Sequence, residues 1–198
     1  MRRSLLPCLF ATAIGMLAAA LLGLSTAHSQ DKDQKPPRDP DVIYVPTPDE
    51  VVDKMLALAD VRPGEVVYDL GCGDGRIPVR AAKKYGVKAW GFDINPVRVK
   101  ESLENVEKNN VKGLVTIKLQ DIFELDLSKA DVITLYLLPQ LNVKLIPQLD
   151  KLKPGCRIVS HDFNMEGVRP KRELTYTPPG GREHRVFLWI TPLEKEKR

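Results

Sequence analysis

From Val42 onward, short apolar runs alternate with segments whose apolar residues recur every three or four positions. Strand-like runs are expected at 65–70 (EVVYDL), 87–93 (VKAWGFD), 114–121 (LVTIKLQD) and 130–139 (ADVITLYLLP), with a fifth in KPGCRIVSHDF. The near-continuous apolar character of the fourth suggests a central, two-sided position. Helical spacing follows Thr47, with Val51, Met55 and Leu58 on one face. Thr47 would cap that helix, Pro48 would take its first position and Glu50 would complete a capping box. Further helices are read from Ile77, Ala81 and Tyr85, and from Asn95-Pro96 with Val99, Leu103 and Val106 inward. A helix over roughly 140–152 carries Leu141, Leu145, Leu149 and Leu152, and Pro147 should kink or split it. ELTYT and HRVFLWIT, joined by PPGGRE with no helix between them, predict an antiparallel hairpin. Alternating strands and helices that end on such a hairpin imply an α/β fold, with a mostly parallel sheet and an antiparallel last strand.

The chain has 198 residues, 43% apolar and 28% charged, enough for one domain with a core, and no internal repeat is visible. The formal charge of +4 includes two leader arginines, Arg2 and Arg3. So weak a balance gives no reason to expect nucleic acid as a partner. The cysteines Cys8, Cys72 and Cys156 have neither metal-ligand spacing nor the look of a disulfide framework, so no metal is expected.

The N-terminus changes the picture. Two arginines precede an apolar run from Leu5 to Leu24 and then small residues. Residues 1–29 therefore read as a secretory signal, cleaved after Ala27-His28-Ser29, or as an uncleaved membrane anchor. Either way the arginines favour export of the domain or its display from the membrane. Residues 30–41 (QDKDQKPPRDPD) read as a solvated linker, 42–192 as the domain and 193–198 as a charged tail.

The chemistry concentrates in YDLGCGDGR, residues 68–76. Gly71, Gly73 and Gly75 are spaced G-x-G-x-G directly after the first strand, and Arg76 stands where a dinucleotide fingerprint would place its third glycine. An NAD-type oxidoreductase therefore loses support. Asp69-Leu70-Gly71-Cys72-Gly73-Asp74-Gly75 resembles motif I of the class I S-adenosylmethionine (SAM) dependent methyltransferases, and the terminal hairpin resembles that family's seventh strand. The resemblance spans roughly residues 44–191 and implies a Rossmann-like seven-stranded sheet with helices on both faces, and SAM as cofactor.

The same resemblance implies a set of cofactor contacts. Asp69 would face the methionine ammonium, and Gly71, Cys72, Gly73, Asp74 and Gly75 would form the turn. Asp93, with Ile94, would receive the ribose hydroxyls. Asp121 would lie near the adenine amino group, with Ile122 beside the ring. A lone aspartate after a strand is often only a turn residue. Three of them after three successive strands, beside the glycine turn, point to one ligand.

YVPTPDEVVDKML, GFDINP and QDIF are in turn similar to small membrane-anchored lysine methyltransferases of mitochondria. Tyr44 and Thr47 would then stand at the cofactor or substrate entrance. A protein lysine, on a membrane protein among other candidates, becomes the implied acceptor. That group tends to carry Glu where Asp93 stands.

Methyl transfer from a sulfonium needs alignment rather than a protein nucleophile. Candidates near the acceptor are Tyr136, at the end of the fourth strand, and His161, Asp162 and Asn164, after the fifth. His161 could accept a proton near neutral pH. The plainer readings are a core tyrosine with its hydroxyl at the rim and a turn histidine without chemistry. His184 reads as surface. Tyr136-Leu137-Leu138-Pro139 lacks the polar-Pro-Pro core of many amino-nucleobase methylating relatives. A non-catalytic SAM-binding scaffold is the remaining rival, since SAM is made in the cytoplasm and a domain that the leader exported would not meet it there.

Overall fold

A computed structural model describes residues 38–196. The expected leader, 1–29, and the first part of the expected linker lie outside the described residues. Among the described residues, no helix is long and apolar enough to cross a membrane.

Seven strands form one sheet in the order β3-β2-β1-β4-β5-β7-β6. They are β1 Val66–Leu70, β2 Lys88–Asp93, β3 Val115–Leu119, β4 Val132–Leu135, β5 Arg157–His161, β6 Arg172–Tyr176 and β7 His184–Ile190. β1 to β5 pair in parallel, and β7 runs antiparallel to both β5 and β6. Among the described residues the helices are α1 Asp49–Leu58, α2 Arg76–Tyr85, α3 Pro96–Lys108 and α4 Pro139–Leu149, with a single 3-10 turn at Ile122–Glu124.

Strand periodicity divides the core in two. Val67, Val132 and Val159 face one side with α1, α2 and Val106 of α3. Tyr68, Leu70, Ile133, Leu135 and Ile158 face the other with α4 and the 3-10 turn. Successive residues of a strand point to opposite faces, so a two-sided sheet needs apolar residues at nearly every position. β4 is buried throughout, as its apolar run predicts.

Several local expectations need correction. Pro48, not Thr47, is the N-cap of α1, and no side chain caps it. The Thr47 hydroxyl instead meets the buried His161, and a hydrogen bond away from water outcompetes an exposed cap. Leu103 lies 39% exposed, and Ser102 turns inward in its place. The phase of α3 is set by close packing, because a Cβ on Gly75 would already lie 3.0 Å from that of Ser102. α4 continues through Pro147 as one helix. The proline stands two residues before the helix end, and the carbonyl it cannot bond belongs to the partly exposed Val143. His184 is buried, with only 5% exposure.

The chain ends are also less free than composition suggests. Within the expected linker, Arg38 bonds Asp121 and Asp41. Within the expected tail, Lys195 bridges Val168, and the Glu196 N–H donates to the carbonyl of Gly167.

Candidate functional site

The site lies at the carboxyl ends of β1, β2 and β4, where open α/β sheets leave a crevice. The turn after β1 is built on three glycines with positive φ: Gly71 (80°), Gly73 (55°) and Gly75 (74°). The Gly71 and Cys72 N–H groups donate to the Phe92 carbonyl at 2.8 and 2.9 Å, tying the turn to β2. Side chains would not fit. A Cβ on Gly73 would lie 2.1 Å from the Tyr44 ring. Ser102 donates to the Gly73 carbonyl at 2.6 Å and fixes the turn from below.

The turn borders an open cleft. Tyr44, Thr47, Asp69, Gly71, Cys72, Asp74, Asp93, Ile94, Asp121, Ile122 and Tyr136 all line it. The strap of residues 40–47 forms its other wall. Gly73 lies against Tyr44, and Gly75 is the N-cap of α2. His161 and Asp162 are not among the lining residues.

The three acids have distinct surroundings. Asp69 is almost fully buried, and Thr134 donates to its Oδ1 at 2.6 Å. Its Oδ2 is buried without a partner among the described residues. Burial pushes this carboxyl up to about 7, with the Asp93 and Asp74 charges adding to the shift against the Thr134 hydrogen bond. A buried, unpartnered carboxylate oxygen at the cleft suits a cationic ligand group. Asp93 accepts the Gly73 N–H on Oδ2 and the Asn95 N–H on Oδ1, both at 2.8 Å. Burial raises its pKa, and these N–H groups oppose the rise. Asp121 accepts the Phe123 N–H at 3.0 Å and Arg38 Nε at 2.5 Å. Burial is the largest single influence and works against its charge, but the Arg38 hydrogen bond, the Phe123 N–H and the Arg38 and Lys144 charges together hold the carboxyl below the usual range.

The turn's remaining side chains are closed to chemistry. Asp74 is paired with Arg76. The Cys72 thiol is buried 3.7 Å from the Ser102 hydroxyl, and burial pushes its pKa well up, so it is no nucleophile. Tyr44 stacks under Arg98.

Behind Tyr136 lies a polar cluster. The Tyr136 ring packs on His161 at 4.0 Å and on Phe163 at 5.9 Å between centroids. His161 is fully buried, with Nδ1 3.0 Å from Thr47 Oγ1 and Nε2 2.8 Å from His184 Nδ1. Burial, foremost, lowers it to about 4, with the His184 and Arg182 charges adding and Asp162 opposing. Both ring nitrogens are engaged and the ring is away from the cleft, so His161 is not the free proton acceptor that its position in the sequence suggested. Asp162 adopts φ 57° and is paired with Arg182 and the Arg185 N–H. Sequence reading missed the strap contact of Arg38, the inward Ser102 and the burial of His184. Only the small size of Ser102 hinted at any of these.

Residues 69–172 match the ANTKMT methyltransferase domain. The chain belongs to that family. It is 48% identical over 153 residues to a protein-lysine N-methyltransferase of Saccharolobus islandicus, covering 76% of this chain and 94% of that one. It is 28% identical over 121 residues to the human ATP synthase C-subunit lysine N-methyltransferase, where the match covers 61% of this chain and 51% of the relative. Its fold is similar to a crystal structure of an RNA methyltransferase from Salinibacter ruber in complex with S-adenosyl-L-homocysteine. That likeness has a TM-score of 0.71 at 45% identity and covers 78% of this chain and 98% of that one. The chain is a SAM-dependent methyltransferase with the seven-stranded fold of that class. The cleft and its unpartnered Asp69 oxygen fit the cofactor.

Proposed function

We propose that this methyltransferase modifies the ε-amino group of a protein lysine. The observation that carries the reading is the 48% identity to a protein-lysine N-methyltransferase along 94% of that relative. The site supports it. Tyr136 lines the cleft and is flanked by Phe163, a wall suited to the aliphatic stem of a lysine. In this reading Asp69 Oδ2 receives the cofactor's ammonium, Asp93 its ribose hydroxyls and Asp121 its adenine amino group. Gly71 and Gly73 let the backbone come close, and Tyr44, Ile94 and Ile122 close around the ligand. When bound, SAM supplies a methyl group on a sulfonium. The protein supplies alignment and exclusion of water.

RNA is the second reading, favoured by the likeness to the Salinibacter ruber RNA methyltransferase. The small net charge and the sequence Tyr136-Leu137-Leu138-Pro139, without a polar-Pro-Pro core, weigh against it. A membrane-protein acceptor is part of the proposal, supported by the apolar run from Leu5 to Leu24 and by the human ATP synthase-directed relative. In that picture the leader anchors or exports the domain.

Radiolabelled methyl transfer from SAM to the purified C-subunit of ATP synthase, poly-lysine and total RNA would test these readings. Acid-stable label on lysine is expected. Label on RNA alone would overturn the lysine reading. Cell fractionation of the full chain would test the membrane proposal, which soluble protein with an intact leader would sink.

A further inference from the structure

The strap residue Thr47 lines the cleft, yet its hydroxyl is committed to a histidine behind the cleft wall. The polarity of that contact can be worked out from its neighbours. His161 is fully buried, so it is neutral at pH 7 and carries one ring proton. Its Nε2 faces His184 Nδ1 at 2.8 Å and Asp162 Oδ2 at 3.3 Å. A carboxylate only accepts, and it lies nearer to His161 Nε2 than to His184 Nδ1, which is 3.8 Å away. The proton therefore belongs on His161 Nε2, shared between the His184 nitrogen and the Asp162 carboxylate. His161 Nδ1 is then bare and can only accept. The Thr47 hydroxyl must donate to it, at 3.0 Å.

Asp162 is held for this task. Its backbone takes φ 57°, a conformation that non-glycine residues rarely adopt, and its Oδ1 accepts the Arg185 N–H at 3.0 Å. Arg182 neutralises Oδ2, and Tyr136 packs over the imidazole. The charged and titratable groups against His161 are thus Asp162, Arg182, His184 and Tyr136. None of them offers Nδ1 a proton.

A threonine that has spent its proton on His161 has only lone pairs left to offer a ligand in the cleft that it lines. It can bind N–H groups, and it repels carboxylate and phosphate oxygens. We propose that Thr47 is a catalytic residue that accepts an N–H of the attacking amine and so aims the nitrogen lone pair at the methyl group. Asp162 acts as a positioning residue that enforces this polarity through His161. The inference rests on the amine-methylation reading above, and of the two entrances implied for Thr47, cofactor or substrate, it chooses the substrate. The lysine ammonium first gives a proton to solvent, which leaves a neutral primary amine with two N–H bonds and one lone pair; as that pair forms the N–CH3 bond the S–CH3 bond breaks, S-adenosylhomocysteine leaves, and the new ammonium gives a proton to solvent. Fixing one N–H of the neutral amine removes much of its rotational freedom, and lost alignment of this kind costs about a hundredfold in rate.

The test compares the full chain with Thr47→Val, Thr47→Ser and Asp162→Asn, using poly-lysine and the ATP synthase C-subunit as acceptors. Thr47→Val should lower kcat by about a hundredfold while calorimetric SAM affinity stays within twofold, and Thr47→Ser should restore most of the rate. Asp162→Asn should lower kcat partially with unchanged SAM affinity. A second readout does not depend on turnover: nitrogen NMR of the imidazoles should show His161 neutral and protonated at Nε2 near pH 7. A Thr47→Val variant with wild-type kcat, or one that loses SAM affinity instead, overturns the proposal while leaving lysine methylation intact. So does His161 protonated at Nδ1. A wild-type enzyme that labels neither lysine acceptor overturns the lysine reading and this inference with it.

Discussion

Thr134 donates its hydroxyl to Asp69 across the β1–β4 pair at 2.6 Å, and so holds one carboxylate oxygen while the other stays buried without a partner. Burial raises the Asp69 carboxyl to about 7. The folded protein without cofactor therefore binds a proton that the unfolded chain has released above about pH 4. By linkage, this group's contribution to stability is present below about pH 4 and is lost as pH rises through 7.

Two outcomes follow for Asp69. SAM affinity should weaken below pH 7, by up to tenfold per pH unit, because the protonated acid no longer attracts an ammonium. Asp69→Asn should lower SAM affinity at least tenfold at pH 8 and raise the melting temperature of the cofactor-free protein there. Calorimetric titration and thermal melts over pH 5.5 to 8.5 would check both. A flat affinity profile would remove the charge from this role.

Gly73 and Tyr44 should behave as one unit. An alanine Cβ at Gly73 would meet the Tyr44 ring at 2.1 Å, and its φ of 55° disfavours any side chain. Gly73→Ala should cost about 1–3 kcal/mol of stability. Part of the loss should vanish in a Tyr44→Ala background, because contacting residues are not additive. A denaturant-unfolding double-mutant cycle measures this, and simple additivity would mean that the strap does not sit on the turn.

Ser102 should matter more than its small size suggests. It is fully buried and donates to the Gly73 carbonyl at 2.6 Å. Ser102→Ala should cost about 1–2 kcal/mol and weaken SAM binding severalfold by loosening the turn. Leu103→Ala, on the exposed neighbour, should change stability by less than about 1 kcal/mol. Equal costs for the two would show that α3 has the other rotational phase.

Both described cysteines should be inert. Burial pushes the Cys72 thiol far up and the Cys156 thiol to about 11. Alkylation of the native chain at pH 8, mapped by mass spectrometry, should label neither until denaturant is added. Rapid native labelling of Cys72 would mean that the glycine turn opens in solution.

Much of this protein was legible in one dimension. Strand and helix periods are local properties, so the alternation of elements and the terminal hairpin could be read directly. The glycine turn was also legible, because positive φ at Gly71, Gly73 and Gly75 restricts the residue type at each position. Three acids after three successive parallel strands must come out at one edge of the sheet, which is why Asp69, Asp93 and Asp121 all reach one cleft.

What the sequence could not decide are choices between local and distant partners. Thr47 had a sound local role as a helix cap, and a histidine 114 residues away took its hydroxyl instead. His184 begins a strand beside polar neighbours and looked exposed, but β7 lies between β5 and β6, and that insertion buries it against His161. Arg38 belonged to a polar, proline-rich stretch with no visible partner until folding brought Asp121 beside it. Sequence alone determined the elements, the turn and the carboxylates of the site, since each depends on backbone conformation and period. The tertiary structure decided which polar groups pair, because burial rewards the partner that removes a donor or acceptor from water, whatever its distance along the chain.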